Sequence, residues 1–355
     1  MADVSKAFWN GRKVFLTGHT GFKGVWLSLW LQSLGAIVSG YSTSAAENKK
    51  STARVHHFQG DICSLEALQT ALQASHAEIV FHMAAQPLVR RAVQDPIATY
   101  RTNILGTATL LEAVRRSGSV RAVLAVTTDK CYRNQGWNWA YREADPLGGN
   151  DPYSSSKAAM ELVVASFRDS FLLARGVGVA TARAGNTIGG GDWATDRLVP
   201  DMMRSFAAGQ PVTLRNPRAA RPWQFVLEPL RGYLLLAQRL VEDAPRYSGA
   251  WNFGPSAHDI QPVGWIAEKL ATAWGAQANW TVEPGHLPQE AQMVRLDCSK
   301  AAAELGWRPL LPLSEALEMT VDWYRCFYAQ RDIQEKYREQ LAAYAKIANE
   351  IPATQ

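Results

Sequence analysis

At 355 residues and 39.1 kDa the chain exceeds the span of about 100–200 residues that one domain core fills, so two domains are expected. Hydrophobic residues at 47% exclude an extended disordered chain, and a net charge of +5 from 37 scattered basic residues argues against a nucleic-acid surface. A mild basic excess suits an anionic small-molecule substrate and equally an ordinary surface.

The chain opens on a short polar stretch to Gly11 without the apolar run of a signal peptide. Lys13 to Thr17 reads as the first strand and Gly21 to Ser33 as the first helix. Strands follow at Ile37 to Tyr41, Val55 to Gly60 and Glu78 to Ala84, with a helix carrying Leu65, Leu68 and Leu72 before the last of them. Asp95-Pro96 opens a long helix that Gly118 stops. Ala122 to Thr127 is the fifth strand and Val177 to Arg183 the sixth, with a helix over Asp151 to Ala174 between them. This alternation predicts a doubly wound, Rossmann-type parallel sheet over residues 1–188, in the α/β class. After Gly189-Gly190-Gly191 the alternation breaks, and residues 189–355 read as a smaller C-terminal α/β domain. Trp223 to Leu240 reads as a strand and helix, so residues 223–245 are expected to return to the first domain. The charged tail Asp332 to Ala348 reads as a surface helix with few core positions. Four cysteines without C-x-x-C spacing argue against a metal site or a disulfide framework and fit a reducing cytosol. No apolar run reaches 18 residues, so a soluble, cytoplasmic protein is expected.

Between the first strand and first helix stands Thr17-Gly18-His19-Thr20-Gly21-Phe22-Lys23-Gly24. Glycines at this spacing permit a tight turn, close approach of backbone N–H groups to a pyrophosphate, and tight helix–strand packing. The helix N-terminus adds partial positive charge. Gly18, Thr20, Gly21, Phe22, Lys23 and Gly24 are therefore candidate dinucleotide contacts. His19 and Lys23 stand where side chains meet phosphates or point to solvent. Asp61 and Ile62, after the third strand, are placed for an adenine edge, and Ala84 and Ala85, after the fourth, leave room for a cofactor or simply pack closely. The acid that grips a ribose about 20 residues after such a loop is missing. Gly40-Tyr41-Ser42-Thr43 stands there, followed by Lys49 and Lys50, and the choice between NAD and NADP stays open.

Tyr153 and Lys157 lie four apart at the start of a helix, on one face. A phenol titrates near pH 10, and an ammonium one turn away lowers that value. Thr128, at the end of the fifth strand, offers a hydroxyl to the same substrate oxygen.

With these features the chain resembles the extended short-chain dehydrogenases/reductases, and within them the nucleotide-sugar 4,6-dehydratases, most nearly the branch that acts on CDP-glucose. The resemblance is carried by the glycine loop, Thr128-Asp129-Lys130-Cys131-Tyr132, the Tyr153/Lys157 pair, Arg183-Ala-Gly-Asn186, Asp192-Trp193, Asp196-Arg197-Leu-Val-Pro200, Arg221-Pro-Trp223 and Leu296-Asp297-Cys-Ser-Lys300. It implies NAD as cofactor, a nucleotide-sugar substrate such as CDP-glucose, and a homodimer formed through the helices Asp95–Ser117 and Asp151–Ala174. It makes Thr128, Asp129, Lys130, Tyr153 and Lys157 the catalytic set, with no metal, and Asn186, Arg197 and Arg221 the substrate contacts. In the implied reaction Tyr153 takes the 4-hydroxyl proton, Lys130 removes the C5 proton, and Asp129 protonates the leaving C6 oxygen. Lys130 must then lose its proton and Asp129 hold one, unless the two form an ion pair with each other. Each arginine equally suits an acid between the domains. Trp137 and Trp139 suit either a sugar wall or packing, and Arg90-Arg91 reads as surface charge. A nucleotide-sugar 4-epimerase needs everything here except Asp129 and Lys130. A dehydratase for GDP-mannose or dTDP-glucose also stays open, since no residue reads the base.

Overall fold

The computed structural model describes residues 4–43, 55–283 and 293–350; Lys49 and Lys50 lie outside them. Apolar runs flanked by turn residues pair as parallel strands: β1 (Lys13–Thr17), β2 (Ile37–Ser42), β3 (His56–Gln59), β4 (Ile79–His82), β5 (Ala122–Val126) and β6 (Gly178–Ala184). A seventh, Gly249–Phe253, arrives from far down the chain and pairs with β6, from Gly249 opposite Ala180 to Phe253 opposite Ala184. The spatial order is Gly249–Phe253, β6, β5, β4, β1, β2, β3. β1 sends its successors one way and receives β4 on its other side, so a crevice opens between β1 and β4 at their C-terminal ends.

The helices that matter below are α1 (Phe22–Ser33), α2 (Leu65–Ser75), α3 (Pro96–Tyr100, a π turn Arg101–Leu105, then Gly106–Arg116), α4 (Pro152–Phe167), α5 (Leu227–Glu242), α6 (Leu313–Tyr328) and α7 (Ile333–Glu350). Strand side chains alternate between the faces. Phe15, Val80, Val123 and Val179 meet Leu68, Leu72, Leu110, Leu111 and Met160 of α2, α3 and α4. Leu16, Phe81, Leu124 and Ala180 meet Leu27, Leu31, Leu230 and Leu234 of α1 and α5. Burial on both faces is why the central strands read as unbroken apolar runs.

Two expectations are modified along this sheet. The long helix after Asp95 does start with Asp95 capping Ala98 N at 3.0 Å and Pro96 in the first turn. Its middle widens into the π turn, which turns Asn103 inward. The helix over 151–174 ends as a π turn Arg168–Leu172 and a 3₁₀ turn Leu173–Arg175, closed by Gly176 at φ +75°.

Outside the large sheet, β7 (Asn186–Ile188), β9 (Ala220–Phe225) and β11 (Ile260–Pro262) form a three-stranded sheet, and β8 (Val212–Leu214) pairs with β12 (Trp280–Val282); Gly249–Phe253 is β10. The stretch from Trp223 to Leu240 is thus divided. Its strand belongs to the small sheet, its helix α5 lies on the large one, and the strand that rejoins the large sheet is β10. Among the described residues no helix is long and apolar enough to cross a membrane.

The tail departs from its reading as a surface helix. Tyr337, Leu341 and Tyr344, spaced by four and three, form a buried stripe on α7. Tyr337 meets Trp26 edge-on at 4.5 Å and Tyr344 meets Trp30 at 5.8 Å, which ties α7 to α1 just behind the glycine loop. Tyr344 is fully buried, so Tyr344→Ala is expected to destabilise the protein by about 3–5 kcal/mol, as truncation of a buried ring does. Urea unfolding monitored by tryptophan fluorescence measures the loss; a change under about 1 kcal/mol would return α7 to the surface.

Candidate active site

The glycine loop is shaped by how closely backbone meets backbone. Gly18 has φ +73°, and a Cβ there would stand 2.8 Å from Ala84 N, at the start of the loop after β4. A Cβ on Gly24 would stand 2.3 Å from Gly18 O. Only glycine satisfies both approaches. Gly21 caps α1 without a side-chain bond, and no acid stands in the first turn, so the positive end of the helix faces the crevice uncompensated. Phe22 packs against the core near Gly189, and Thr20 is half-buried at the rim. Thr17 fastens the loop from beneath: its hydroxyl accepts from Met83 N and Ala84 N at 3.1 Å and pairs with His82 Nδ1 at 2.8 Å.

His19 does not turn outward. Its ring lies against Gly40, where a Cβ would stand 2.3 Å away, and its Nε2 pairs with His57 Nδ1 at 3.0 Å. Burial, and then His57, lower its pKa to about 4, so the ring is neutral near pH 7. A side chain at Gly40 is thereby excluded, because the space above it belongs to the His19 ring. Lys23 also turns inward, with Nζ 5.9 Å from the centre of the Tyr233 ring. Burial, followed by Arg197 and Lys157, lowers its pKa to about 7. Asp61 accepts from Cys63 N at 2.9 Å and pairs with Arg101 at 3.1 Å, while Ile62 is buried against Gly106. Ala84 and Ala85 are half-buried at the crevice.

Helix α4 begins where Asp151 accepts from Tyr153 N and Ser154 N at 2.9 and 3.0 Å, with Pro152 in the first turn. Tyr153 and Lys157 are both buried, one turn apart. Lys157 Nζ donates to Val126 O at 3.1 Å, at the end of β5. Burial lowers its pKa to about 8. The phenol of Tyr153 is pushed up by burial and pulled down first by Lys130 and then by a hydrogen bond with Thr128. The cation that acts most on it is therefore Lys130 and not Lys157, contrary to the helical-spacing argument.

Asp129 and Lys130 occupy a single 3₁₀ turn, Asp129–Cys131, which Thr128 caps. Asp129 is buried and accepts from Thr128 Oγ1 at 2.9 Å and from Lys130 Nζ at 3.3 Å. Of the two readings left open by the sequence, this contact favours the mutual ion pair at rest. Asp129, the nearest anion, raises the lysine above its ordinary value, and the two rest as an ion pair.

On the substrate side, Asn186 opens β7 beside Trp223 of β9. Arg197 pairs with Asp192 at 3.0 Å, and its charge reaches Tyr153 and Lys23. Arg221 lies on β9 within electrostatic reach of Lys130. Trp137 stacks between Tyr141 and Trp139, each at 5.2 Å, and so packs the loop after the 3₁₀ turn. Arg90 is surface charge, as read, and pairs there with the exposed Asp196, the residue before Arg197. Two residues were missed by sequence reasoning. Asn103, in the π turn, accepts from Gln86 N at 2.8 Å and donates to Gln86 O at 3.1 Å and Ser156 Oγ at 2.8 Å, linking α3, the loop after β4 and α4. Glu161 is the other; its one signal was its place four residues after Lys157.

The comparisons with known proteins agree with this geometry. The GDP-mannose 4,6 dehydratase family model matches residues 15–320. The CDP-glucose 4,6-dehydratase of Salmonella typhimurium is 48% identical over 341 residues, covering 93% of this chain and 95% of that protein. A dTDP-glucose 4,6-dehydratase of Xanthomonas campestris pv. campestris is 28% identical, covering 88% and 91%. Among solved structures, the UDP-glucose 4-epimerase of Thermus thermophilus in complex with NAD superposes with a TM-score of 0.76 at 25% identity, covering 88% and 98%. The dTDP-glucose 4,6-dehydratase of Streptomyces venezuelae, with NAD bound, superposes at 0.74 with 22% identity, covering 90% and 98%, and shows the shared fold. The chain belongs to this family of nucleotide-sugar 4,6-dehydratases, within the extended short-chain dehydrogenases/reductases.

The ion pair has a measurable signature. Asp129→Asn removes the largest influence that raises Lys130, so the pKa of that lysine falls. The pH profile of its chemical labelling, followed by mass spectrometry, is expected to move to lower pH. An unmoved profile would mean that the pair does not form in solution.

Proposed function

We propose that this chain is a hydro-lyase that converts CDP-D-glucose to CDP-4-keto-6-deoxy-D-glucose and water, with NAD as a cofactor that leaves each cycle unchanged. The observation that carries the reading is the Asp129–Lys130 pair, its carboxylate buried, directly after Thr128 and beside Tyr153. The crevice fits a dinucleotide: two glycines hold space that a Cβ would fill, and an uncompensated helix N-terminus faces it. Gly18, Thr20, Gly21, Phe22, Lys23 and Gly24 would hold the phosphates, Asp61 and Ile62 the adenosine, and Ala84, Ala85, Tyr153 and Lys157 the nicotinamide end. When bound, NAD supplies the hydride acceptor at C4 and the hydride donor at C6. The 48% identity to a CDP-glucose enzyme supports the cytidine nucleotide. Asn186, Arg197 and Arg221 would take the diphosphate, where planar guanidinium groups match phosphate oxygens.

The chain's own groups then move protons in a closed cycle. Tyr153 accepts the 4-hydroxyl proton. As the sugar excludes water, the proton in the Lys130 Nζ–Asp129 Oδ1 bond passes to the carboxylate, because a low dielectric favours the neutral amine and acid over the ion pair. The neutral Lys130 removes the C5 proton, which the 4-keto group has made acidic, and Asp129 protonates the C6 oxygen as it leaves as water. The pair is thereby an ion pair again. Lys130 then returns its proton to C5, and the proton held by Tyr153 restores Lys130. Thr128 holds the C4 oxygen throughout. A resting Lys130 ammonium is therefore compatible with its role as base.

A homodimer is also part of this reading. Val93, Ile97 and Leu105 along α3 and its approach, with Leu162 and Phe171 along α4 and its extension, expose apolar side chains. Ile97→Asp is expected to halve the sedimenting mass, whereas an unchanged sedimentation coefficient would remove these helices from the interface. The family and four unpaired cysteines suit the cytoplasm as its compartment.

Incubation with CDP-, dTDP-, UDP- and GDP-hexoses, with and without NAD, tests the whole. The expected result is a 4-keto-6-deoxy product from CDP-glucose. A 4-epimer would establish the epimerase, and turnover of GDP-mannose or dTDP-glucose alone would move the base. Tyr153→Phe is expected to abolish product. Asp129→Asn and Lys130→Ala are expected to lower kcat by roughly 10²–10⁴ while a burst of reduced cofactor survives. Wild-type turnover by Tyr153→Phe, or no burst in either of the others, would sink these assignments.

A further inference from the structure

Glu161 has no place in the chemistry above, yet it is buried at the back of the site. It stands one turn beyond Lys157 on the same face of α4. The two side chains clasp neighbouring residues at the end of β5. Lys157 Nζ reaches Val126 O at 3.1 Å, and Glu161 Oε1 accepts from Thr127 Oγ1 at 2.5 Å. Its carboxylate also accepts from Thr181 Oγ1 on β6 at 2.6 Å and, bidentately, from Arg183 Nε and Nη2 at 3.0 and 2.9 Å. Arg183 carries the contact onward. Its Nη1 donates to Tyr132 Oη at 2.8 Å and to Glu143 O at 3.0 Å, and its guanidinium lies 4.8 Å over the Tyr132 ring. Tyr132 directly follows the turn that bears Asp129 and Lys130, and it is fastened on its far side to Asn252 Oδ1 at 2.7 Å.

A buried ion pair is weak evidence of a stabilising role, since apolar replacement is often neutral. Its position is more telling. We propose that Glu161 is a positioning residue for both halves of the reaction: its buried charge stands one helical turn from Lys157, and its partner Arg183 clamps the Asp129–Lys130 turn in register with Tyr153. The inference rests on the dehydratase reading given above.

The groups that face Lys157 are few. Besides Glu161 and Tyr153 on its own helix, they are Cys131 from the 3₁₀ turn, His82 from the end of β4 and Lys23 from α1. Burial holds the Cys131 thiol protonated and His82 neutral, with a pKa lowered to about 3, while the Tyr153 phenol is pushed up by burial and pulled down by Lys130 and Thr128. Lys23 opposes the lysine charge. Glu161 is thus the anion that keeps Lys157 an ammonium at neutral pH against the pull of burial. Removing that anion lowers the Lys157 pKa below about 8, and activity on the alkaline side is lost earlier.

The experiment is the pH profile of kcat between pH 6 and 10 for the wild type, Glu161→Gln, and Glu161→Gln/Arg183→Gln. The double variant leaves no buried ion without its partner. CDP-glucose is the substrate, 4-keto-6-deoxy product the readout, and thermal unfolding confirms folding. The alkaline limb of each folded variant is expected to move to lower pH. Relative to wild type, activity then falls about tenfold between pH 6.5 and pH 9, the factor that one pH unit of displacement produces. Limbs that superimpose on wild type after a uniform loss overturn the proposal, as does failure of both variants to fold, which would make Glu161 purely structural. A wild type that forms no 4-keto-6-deoxy sugar removes the dehydratase reading itself, an outcome separate from either variant result.

Discussion

Parallel pairing of the strands dictates where chemistry can occur in this chain. Because β1, β4, β5 and β6 all run the same way, their C-terminal ends open on one edge of the sheet. The loops that leave them there carry Gly18, Ala84, Thr128 and, after β6, Asn186. The reversal of strand order between β1 and β4 parts the loops and leaves the crevice. The backbone contact of Gly18 with Met83 and Ala84 fixes the width of that crevice, and Thr17 pins both sides of it. The helix α4, laid beside β5, then has one face on which groups can reach the same edge, and that face bears Tyr153, Lys157 and Glu161.

Within this frame, charge is arranged in two unlike pairs. Asp129–Lys130 has one buried partner and one that reaches solvent, its side chain 40% exposed, so the pair can be remade when a substrate displaces water. Glu161–Arg183 is buried on both sides, at 3% each, and its hydrogen bonds leave it no freedom to rearrange. A labile pair mounted against a fixed one is what an acid–base cycle requires: the proton moves while the groups that exchange it stay in place. Asn103 performs the same service from the cofactor side, holding the loop after β4 against α4.

Much of this was legible in the sequence, for physical reasons that differ from residue to residue. Strand β1 was found at its actual bounds because an apolar run buried on both faces, ended by a glycine loop, has few alternative readings. The placement of Tyr153 and Lys157 at a helix start and of Thr128 at a strand end was legible because a helix turn and a strand end set their spacing. The role of α7 was missed because Tyr337, Leu341 and Tyr344 are separated by charged residues that dominate the composition of the tail. Strand β10 was missed because its partner β6 lies far upstream, beyond the reach of local pattern. The resting state of Lys130 stayed open because spacing gives proximity but not the balance of burial against a neighbouring carboxylate. Glu161 was hidden for a similar reason: a glutamate in a helix reads as surface until the strands beneath it are placed. The absence of an acid over Gly40–Thr43 was legible, but the histidine ring that fills the space over Gly40 required the fold.

The cations on the substrate side show a related economy. Arg197 is engaged by Asp192 and Arg90 by Asp196, each pair at the mouth and partly exposed. The exposed pair of Arg90 and Asp196 costs little to break in solvent, on the order of 1 kcal/mol or less, whereas Asp192 is buried and holds Arg197 more firmly. A diphosphate brings two negative charges and several acceptor oxygens, against one carboxylate for each guanidinium. For the proposed substrate, exchange of partners at the mouth would therefore favour the full ligand over a neutral sugar. The carboxylates hold the guanidinium groups near their working positions beforehand, so less side-chain entropy is lost when the ligand arrives. Asp196 lies in the left-handed region at φ +61°, next to Arg197, so the contact with Arg90 also holds a strained turn at the rim. On the proposed reading, recognition of the diphosphate and the shape of the mouth would thus depend on the same few side chains.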